Sequence, residues 1–323
     1  MNPQGFLEDL EAKPAALRAL ADDLDAEDVW EGLPQRWDRT VLVGMGSSRF
    51  AAEMCTRRLR ACGGAAWAEY ASTVRSDVGA GPGTVGIGLS ASGTTPETVG
   101  ALAGLRADTT VALTNHEGST ITEGADLVVA MRAGDEAGGV ACRTYQHTIA
   151  LLLALERRAA RQEASVGPCV RRAAEATEDL LERRDAWLPG VADLLAEGPA
   201  TFTIAPAERL GSAQQSALMF REGPRRTADA CESGDWLHID VYLTKPLDYR
   251  ALLFTGSRFD AQIMAWMRER DAAVVAVGAD VEGAARTVRY RHDEDAEVAL
   301  LTEVLVAELV AARWWLAQPV APG

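Results

Sequence analysis

Along much of this chain, short runs of apolar residues alternate with helical apolar stripes. Val85-Gly86-Ile87-Gly88-Leu89 and Thr110-Val111-Ala112-Leu113 have no charged face, as strands covered on both sides of a parallel sheet require. Residues 40–44, 67–70 and 127–131 read as three further strands. Between them, Phe50, Ala51, Met54, Cys55 and Leu59 fall on one helical face after the turn Gly46-Ser47-Ser48, and residues 96–105 suit a second helix. This βαβα order predicts a doubly wound parallel sheet. Ahead of it, Phe6, Leu7, Leu10, Leu17, Leu20 and Leu24 predict a helix over 6–24.

The second half repeats the first. After a helical region at 142–185, interrupted near Gly167-Pro168, come a strand at 200–204, a helix at 211–222 and strands at 251–255 and 272–278. The strand pair at 85–89 and 110–113 thus recurs at 251–255 and 273–277. The expected fold class is α/β: two tandem doubly wound parallel-sheet modules behind an N-terminal helical segment. The boundaries fall at 1–35, 36–165 and 166–323, the last module including a closing helix through Leu300, Leu305, Leu309 and Trp314. The apolar run at 149–155 is far shorter than the about 20 residues of a membrane span, so it is expected to lie buried between modules. Residues 239–243 read as one more strand.

The strand at 85–89 leads into Ser90-Ala91-Ser92-Gly93-Thr94-Thr95-Pro96-Glu97-Thr98. Hydroxyl side chains and a glycine sit where a strand gives way to a helix, with Pro96 and Glu97 in its first turn. Free backbone N–H groups and the positive end of the helix dipole converge there, which suits an anion. The turn has no lysine, so it is not a nucleotide-binding P-loop. Thr94 and Glu97 equally suit an ordinary capping box, which uses the same donors.

Composition narrows the partners. A formal net charge of −15 argues against nucleic acid, whose phosphates need basic faces. With 323 residues and 48% hydrophobic content the chain can fill two cores, yet it has no membrane-length apolar run. Its first residues lack the basic-then-apolar pattern of a secretory signal. Five cysteines (Cys55, Cys62, Cys142, Cys169, Cys231) without a Cys-x-x-Cys pair imply reduced thiols and a cytoplasmic location. His116, His147, His238 and His292 show no metal-ligand spacing, so neither a metal nor another cofactor is expected.

The hydroxyl-rich turn resembles the phosphate-binding loop of sugar isomerase (SIS) domains, Ser-x-Ser-Gly-x-Thr-x-(Asp/Glu)-Thr, through Ser90, Ser92, Gly93, Thr95, Glu97 and Thr98. Ala91 departs from the glutamine usual in aminosugar synthases. The tandem flavodoxin-like modules are similar to the isomerase half of glucosamine-6-phosphate synthase over nearly the whole chain. The opening Phe6-Leu7-Glu8-Asp9-Leu10-Glu11-Ala12-Lys13-Pro14 is similar to that family's entry segment, and Gly44-Met45-Gly46-Ser47-Ser48 to its Gly-Thr-Ser turn. Residues 136–145 align without gaps on Glu-x-Gly-x-x-x-Thr-Lys-x-Phe, with Cys142 replacing the threonine and Arg143 the lysine. The resemblance implies a phosphate held by Ser47, Ser48, Ser90, Ser92 and Thr95, with Gly139 presenting its backbone and Arg143 its charge to the substrate.

Aldose–ketose interconversion needs ring opening and then a proton moved between C1 and C2 through an enediol or enolamine; one carboxylate can serve both carbons. Ala217-Leu218-Met219-Phe220-Arg221-Glu222 resembles the family's Ala-Leu-Lys-x-Lys-Glu, which makes Glu222 the catalytic glutamate. Gly234-Asp235-Trp236-Leu237-His238 resembles Gly-Glu-x-x-His, which makes His238 the ring-opening histidine. Apart from the resemblance, Glu222 equally suits a helix surface and His238 a cap or core position.

Met219 replaces a lysine, and the only lysines of the chain are Lys13 and Lys245. The synthases capture the ketose through a tail lysine, whereas this tail at 317–323 has none, so imine capture and glutamine-dependent synthesis are not expected. The expected activity is that of a phosphosugar isomerase on a hexose or aminosugar phosphate, or of a deaminase turning glucosamine-6-phosphate into fructose-6-phosphate and ammonia. A sugar-phosphate-binding regulator without catalysis and a deglycase or lyase acting on a conjugated aminosugar phosphate are the alternatives. The resemblance also implies a homodimer in which His238 reaches the partner's site.

Overall fold

The computed structural model describes residues 1–73 and 81–319. The lysine-free tail therefore lies outside the described residues from 320 onward. In chain order the first elements are α1 (Pro3–Glu11), α2 (Lys13–Ala26), β1 (Arg39–Gly44), α3 (Ser47–Ala61), β2 (Ala65–Tyr70), β3 (Thr84–Leu89), α4 (Pro96–Gly104) and β4 (Thr109–Thr114). Next come β5 (Leu127–Ala130), α5 (Arg143–Ala159), α6 (Gly167–Glu182), α7 (Arg184–Ala196), β6 (Thr201–Ala205), α8 (Leu210–Glu222) and β7 (Ala228–Glu232). The remainder are α9 (Ser233–Trp236), β8 (Arg250–Phe254), α10 (Asp260–Glu269), β9 (Ala273–Val277), β10 (Arg286–Val288), α11 (Ala296–Thr302) and α12 (Val304–Leu316).

The chain divides into two compact units. One holds Ala16–Asp135 and Arg143–Val170; its sheet has the order β2-β1-β3-β4-β5, every pair parallel. All six residues of β3 are buried, which explains its unbroken apolar run. Full burial of Leu42, Ile87 and Leu89 contributes about 2 kcal/mol for each side chain. The apolar run of α5 is buried in this unit, where the Trp30 indole donates to the Leu151 carbonyl at 2.9 Å.

The other unit holds Met1–Ala15, Glu136–Cys142 and Arg171–Gly323. Its sheet runs β10-β9-β8-β6-β7, again parallel throughout. With β6 counted as the first strand, this is the same order as in the first sheet, so the repeat legible in the sequence is a repeat of topology. Its core gathers Phe202, Ile204, Trp236, Tyr249, Leu253 and Met264, with the Phe202 and Tyr249 rings stacked 4.1 Å apart.

Some elements differ from expectation. The helix expected over 6–24 is two helices, because Lys13-Pro14 opens α2 and proline tolerates only a helix's first turn. The break expected near Gly167-Pro168 is present: α5 ends at Ala159 and Gly167-Pro168 opens α6. The strand expected at 239–243 is a helical turn: Asp240, Val241 and Thr244 are buried, a spacing of turns and not of strands, and Leu243 N–H donates to the Asp240 carbonyl at 2.9 Å. The short strands β7 and β10 and helix α7 are not foreseen by the apolar pattern.

Candidate functional site

In a sheet of order 2-1-3-4-5, a ligand crevice opens outside the carboxyl ends of the two strands at the switch point, here β1 and β3. The chain leaves β1 at Gly44 and enters α3 at Ser47 and Ser48; it leaves β3 at Leu89 and enters α4 through Ser90–Thr95. Four of the five expected phosphate-holding hydroxyls belong to these first turns or the loop before them, and Thr95 is the N-cap of α4. Neither α3 nor α4 receives a side-chain cap: Gly46 (φ +51) and Thr95 make no capping hydrogen bond. No side chain of the N-cap residue thus takes their first amides, an arrangement that suits an anion.

The hydroxyls order one another. Ser90 is buried, its Oγ accepts from Gly93 N–H at 3.1 Å and lies 3.1 Å from Thr95 Oγ1. Ser92 Oγ accepts from the Thr94 amide and hydroxyl at 3.3 and 3.2 Å. The capping box between Thr94 and Glu97 does not form. Gly93 has φ +65, and a Cβ there would overlap Ser119, so only glycine completes the turn. Arg143 opens α5 in the same unit, where its guanidinium donates to the Asp135 carbonyl.

Glu222 belongs to the other unit, at the end of α8. Gln215, Met219 and Glu222 lie four and three residues apart on one helix face. That face meets loop 136–142: Gln215 Nε2 donates to the Ala141 carbonyl at 3.0 Å. Glu222 is half-buried, and burial raises its proton affinity above that of an ordinary glutamate; the charge of Glu136 adds to the rise and that of Arg225 opposes it. Gly139 is exposed on the same loop with φ +69. Cys142, the departure from the family threonine, is buried, and burial pushes its thiol well above the ordinary range.

His238 is exposed beyond α9, beside Ile239, Tyr242 and Leu243, which are 58%, 64% and 36% exposed. Glu222 precedes the start of β7 and His238 follows its end; the five residues of β7 span about 13 Å. The structure thus joins Glu222 to the loop of Gly139, while His238 lies between Trp236 and Asp240, both of which bond the Tyr249 hydroxyl ahead of β8.

At the switch point of the second sheet, the turn after β8 is already filled. Asp260 Oδ2 accepts from the amides of Gly256 and Ser257 at 2.7 and 3.1 Å. Arg209 pairs with buried Glu303 and donates to the Thr255 carbonyl there. The repeated architecture therefore does not repeat the open cradle.

Sequence reasoning missed Asp9, Gln215 and the ion pair between Lys13 and Glu308. The helical spacing of Gln215 with Met219 and Glu222 was a usable signal; Asp9 and its partners are 128 and 129 residues apart, with no local signal at all.

Residues 35–156 match the SIS domain family. No curated protein matches the chain in sequence. Among solved structures, the tagatose-6-phosphate ketose/aldose isomerase of Escherichia coli superposes with TM-score 0.83 at 16% identity, over 97% of this chain and 92% of that one. The glucosamine-6-phosphate deaminase of Thermotoga maritima gives 0.77 at 18%, over 97% and 94%. The C-terminal domain of the glucosamine-fructose-6-phosphate aminotransferase of Francisella tularensis gives 0.79 at 14%, over 96% of each chain. Residues 35–156 are a SIS domain, in a chain that shares the fold of these three structures over nearly its whole length.

Proposed function

We propose that this protein is a phosphosugar isomerase acting on a hexose or aminosugar phosphate, with Glu222 as the proton carrier. The observation that carries this reading is a half-buried carboxylate whose proton affinity is raised by burial. Such a group holds its proton more tightly than an ordinary glutamate and is the stronger base when ionised, which suits a shuttle between C1 and C2. Ser47, Ser48, Ser90, Ser92 and Thr95, with the uncapped amides of α3 and α4, hold the phosphate. Arg143 adds positive charge and Gly139 offers its backbone to the sugar.

The two reactions named for the similar structures fit this one shuttle. With a hydroxyl at C2, the enediol returns its proton to the other carbon and isomerisation is complete. With an amine at C2, reprotonation at C1 gives a ketimine; water then adds to it and ammonia leaves. His238, exposed beyond α9, assists ring opening in the site of a second copy. The exposed Ile239, Tyr242 and Leu243 around it supply an apolar surface for that contact.

The test is incubation with glucosamine-6-phosphate and with fructose-6-phosphate in deuterated water, following the C1 and C2 protons by NMR. Deuterium enters with the wild-type protein and not with Glu222→Gln, and ammonia release identifies deamination. The exposure of His238 also favours a second reading, a regulator that binds sugar phosphate without turning it over. Binding without exchange in the wild-type protein selects that reading.

A further inference from the structure

We propose that Asp9 is a positioning residue, through which α1 fixes loop 136–142 against the helix face that carries Glu222. Asp9 is 4% exposed, and its two carboxylate oxygens accept from separate amides of the loop. Oδ1 takes Ala137 N–H at 3.1 Å and Oδ2 takes Gly138 N–H at 2.7 Å. Asn2 N–H returns a bond to the Gly138 carbonyl at 3.0 Å. The two segments touch backbone to backbone: a Cβ at Gly138 would lie 2.5 Å from Phe6 Cα, and one at Gly5 2.8 Å from the Ala137 carbonyl.

The loop is tied at its far end as well. Cys142 N–H donates to Glu136 Oε1 at 2.7 Å, and Gln215 on α8 holds the Ala141 carbonyl. Glu136 is near enough to Glu222 for its charge to be felt there. Asp9 acts by fixing where the loop backbone and Glu136 lie. A buried carboxylate that accepts two amides cannot be exchanged for a neutral group without loosening the loop, since one or both donors lose their partner.

The kinetic consequence rests on Glu222 being the proton carrier; the clamp itself is measured without activity. Amide hydrogen exchange at Ala137 and Gly138 is compared among wild type, Asp9→Ala, Asp9→Asn and Leu195→Ala. Leu195 is a fully buried residue of α7 and serves as a stability control. Asp9→Ala releases both amides, Asp9→Asn partly restores protection, and Leu195→Ala leaves the local pattern unchanged. For deuterium incorporation into the sugar, Asp9→Ala lowers kcat on the order of 100-fold with KM little altered, because the reacting groups are misplaced while the phosphate is still held. Protected amides in Asp9→Ala, or an equal loss of kcat per folded molecule in Leu195→Ala, overturn the proposal. If the wild type exchanges no sugar proton, the catalytic reading falls, and the amide measurement alone still decides whether Asp9 clamps the loop.

Discussion

Glu222 carries opposite consequences for chemistry and for stability. Burial first, then the nearby charge of Glu136, make the folded protein hold this proton more tightly than the unfolded chain does, with Arg225 in opposition. A raised acid stabilises the fold below the ordinary glutamate range, and that contribution is lost as pH rises through the raised value. Glu222→Gln carries no charge at any pH. Relative to wild type, it therefore gains stability as pH rises from the ordinary glutamate range through the raised value, the interval in which the wild-type carboxylate ionises. Urea unfolding of both proteins at the two ends of this interval measures the gain; a constant difference in midpoint would show that the fold does not oppose ionisation of Glu222. That the hydroxyls and Gly93 share one turn ahead of α4 was legible, because a short motif puts them at fixed places between a strand and a helix. What a motif could not show is that Thr94 leaves the cap unmade, since capping and anion binding ask for the same side chains.

Among the elements, α12 depends on a charge it buries. Glu308 and Lys13, the first residue of α2, are both almost fully buried and form an ion pair. The second oxygen of Glu308 has no hydrogen-bond partner, and burial raises the proton affinity of this carboxylate against the pull of Lys13. Lys13→Met leaves a buried carboxylate alone and destabilises by about 3–5 kcal/mol, whereas pairing it with Glu308→Leu recovers most of the loss. Urea denaturation of the two single variants and the double variant measures this, and an additive double variant would show that the two groups do not compensate each other.

The same contrast between buried and edge positions governs which elements the sequence discloses. Central strands such as β3 and β8 are buried and apolar after their first residue because both faces are covered. The edge strand β7, Ala-Asp-Ala-Cys-Glu, has only its first residue buried, and β10 only its last, so neither leaves an apolar run. Residues 239–243 mislead in the other direction: Ile239, Tyr242 and Leu243 are exposed, and beside Val241 the buried group is Asp240, whose carboxylate accepts from the Tyr249 hydroxyl at 3.3 Å.

For the whole molecule, two sheets of one topology have diverged at their switch points. One retains open amides and hydroxyls; in the other, Asp260 and Arg209 occupy the turn from within. A question of symmetry follows from the proposed roles of Glu222 and His238, which precede and follow β7 in the chain. If both groups serve one reaction, each site of a C2 dimer takes Glu222 from one copy and His238 from the other. Glu222→Gln and His238→Ala are then each inactive as homodimers. Mixed by unfolding together and refolding, half of the dimers are hybrids, and each hybrid has one site with both groups intact. Activity returns to about one quarter of wild type at equal mixing. Were His238 to act within its own chain, every site in the hybrid would lack one of the two groups, and mixing would restore nothing. The recovered fraction, read by sugar deuterium incorporation and set against the dimer content from sedimentation, thus decides whether the histidine crosses between copies.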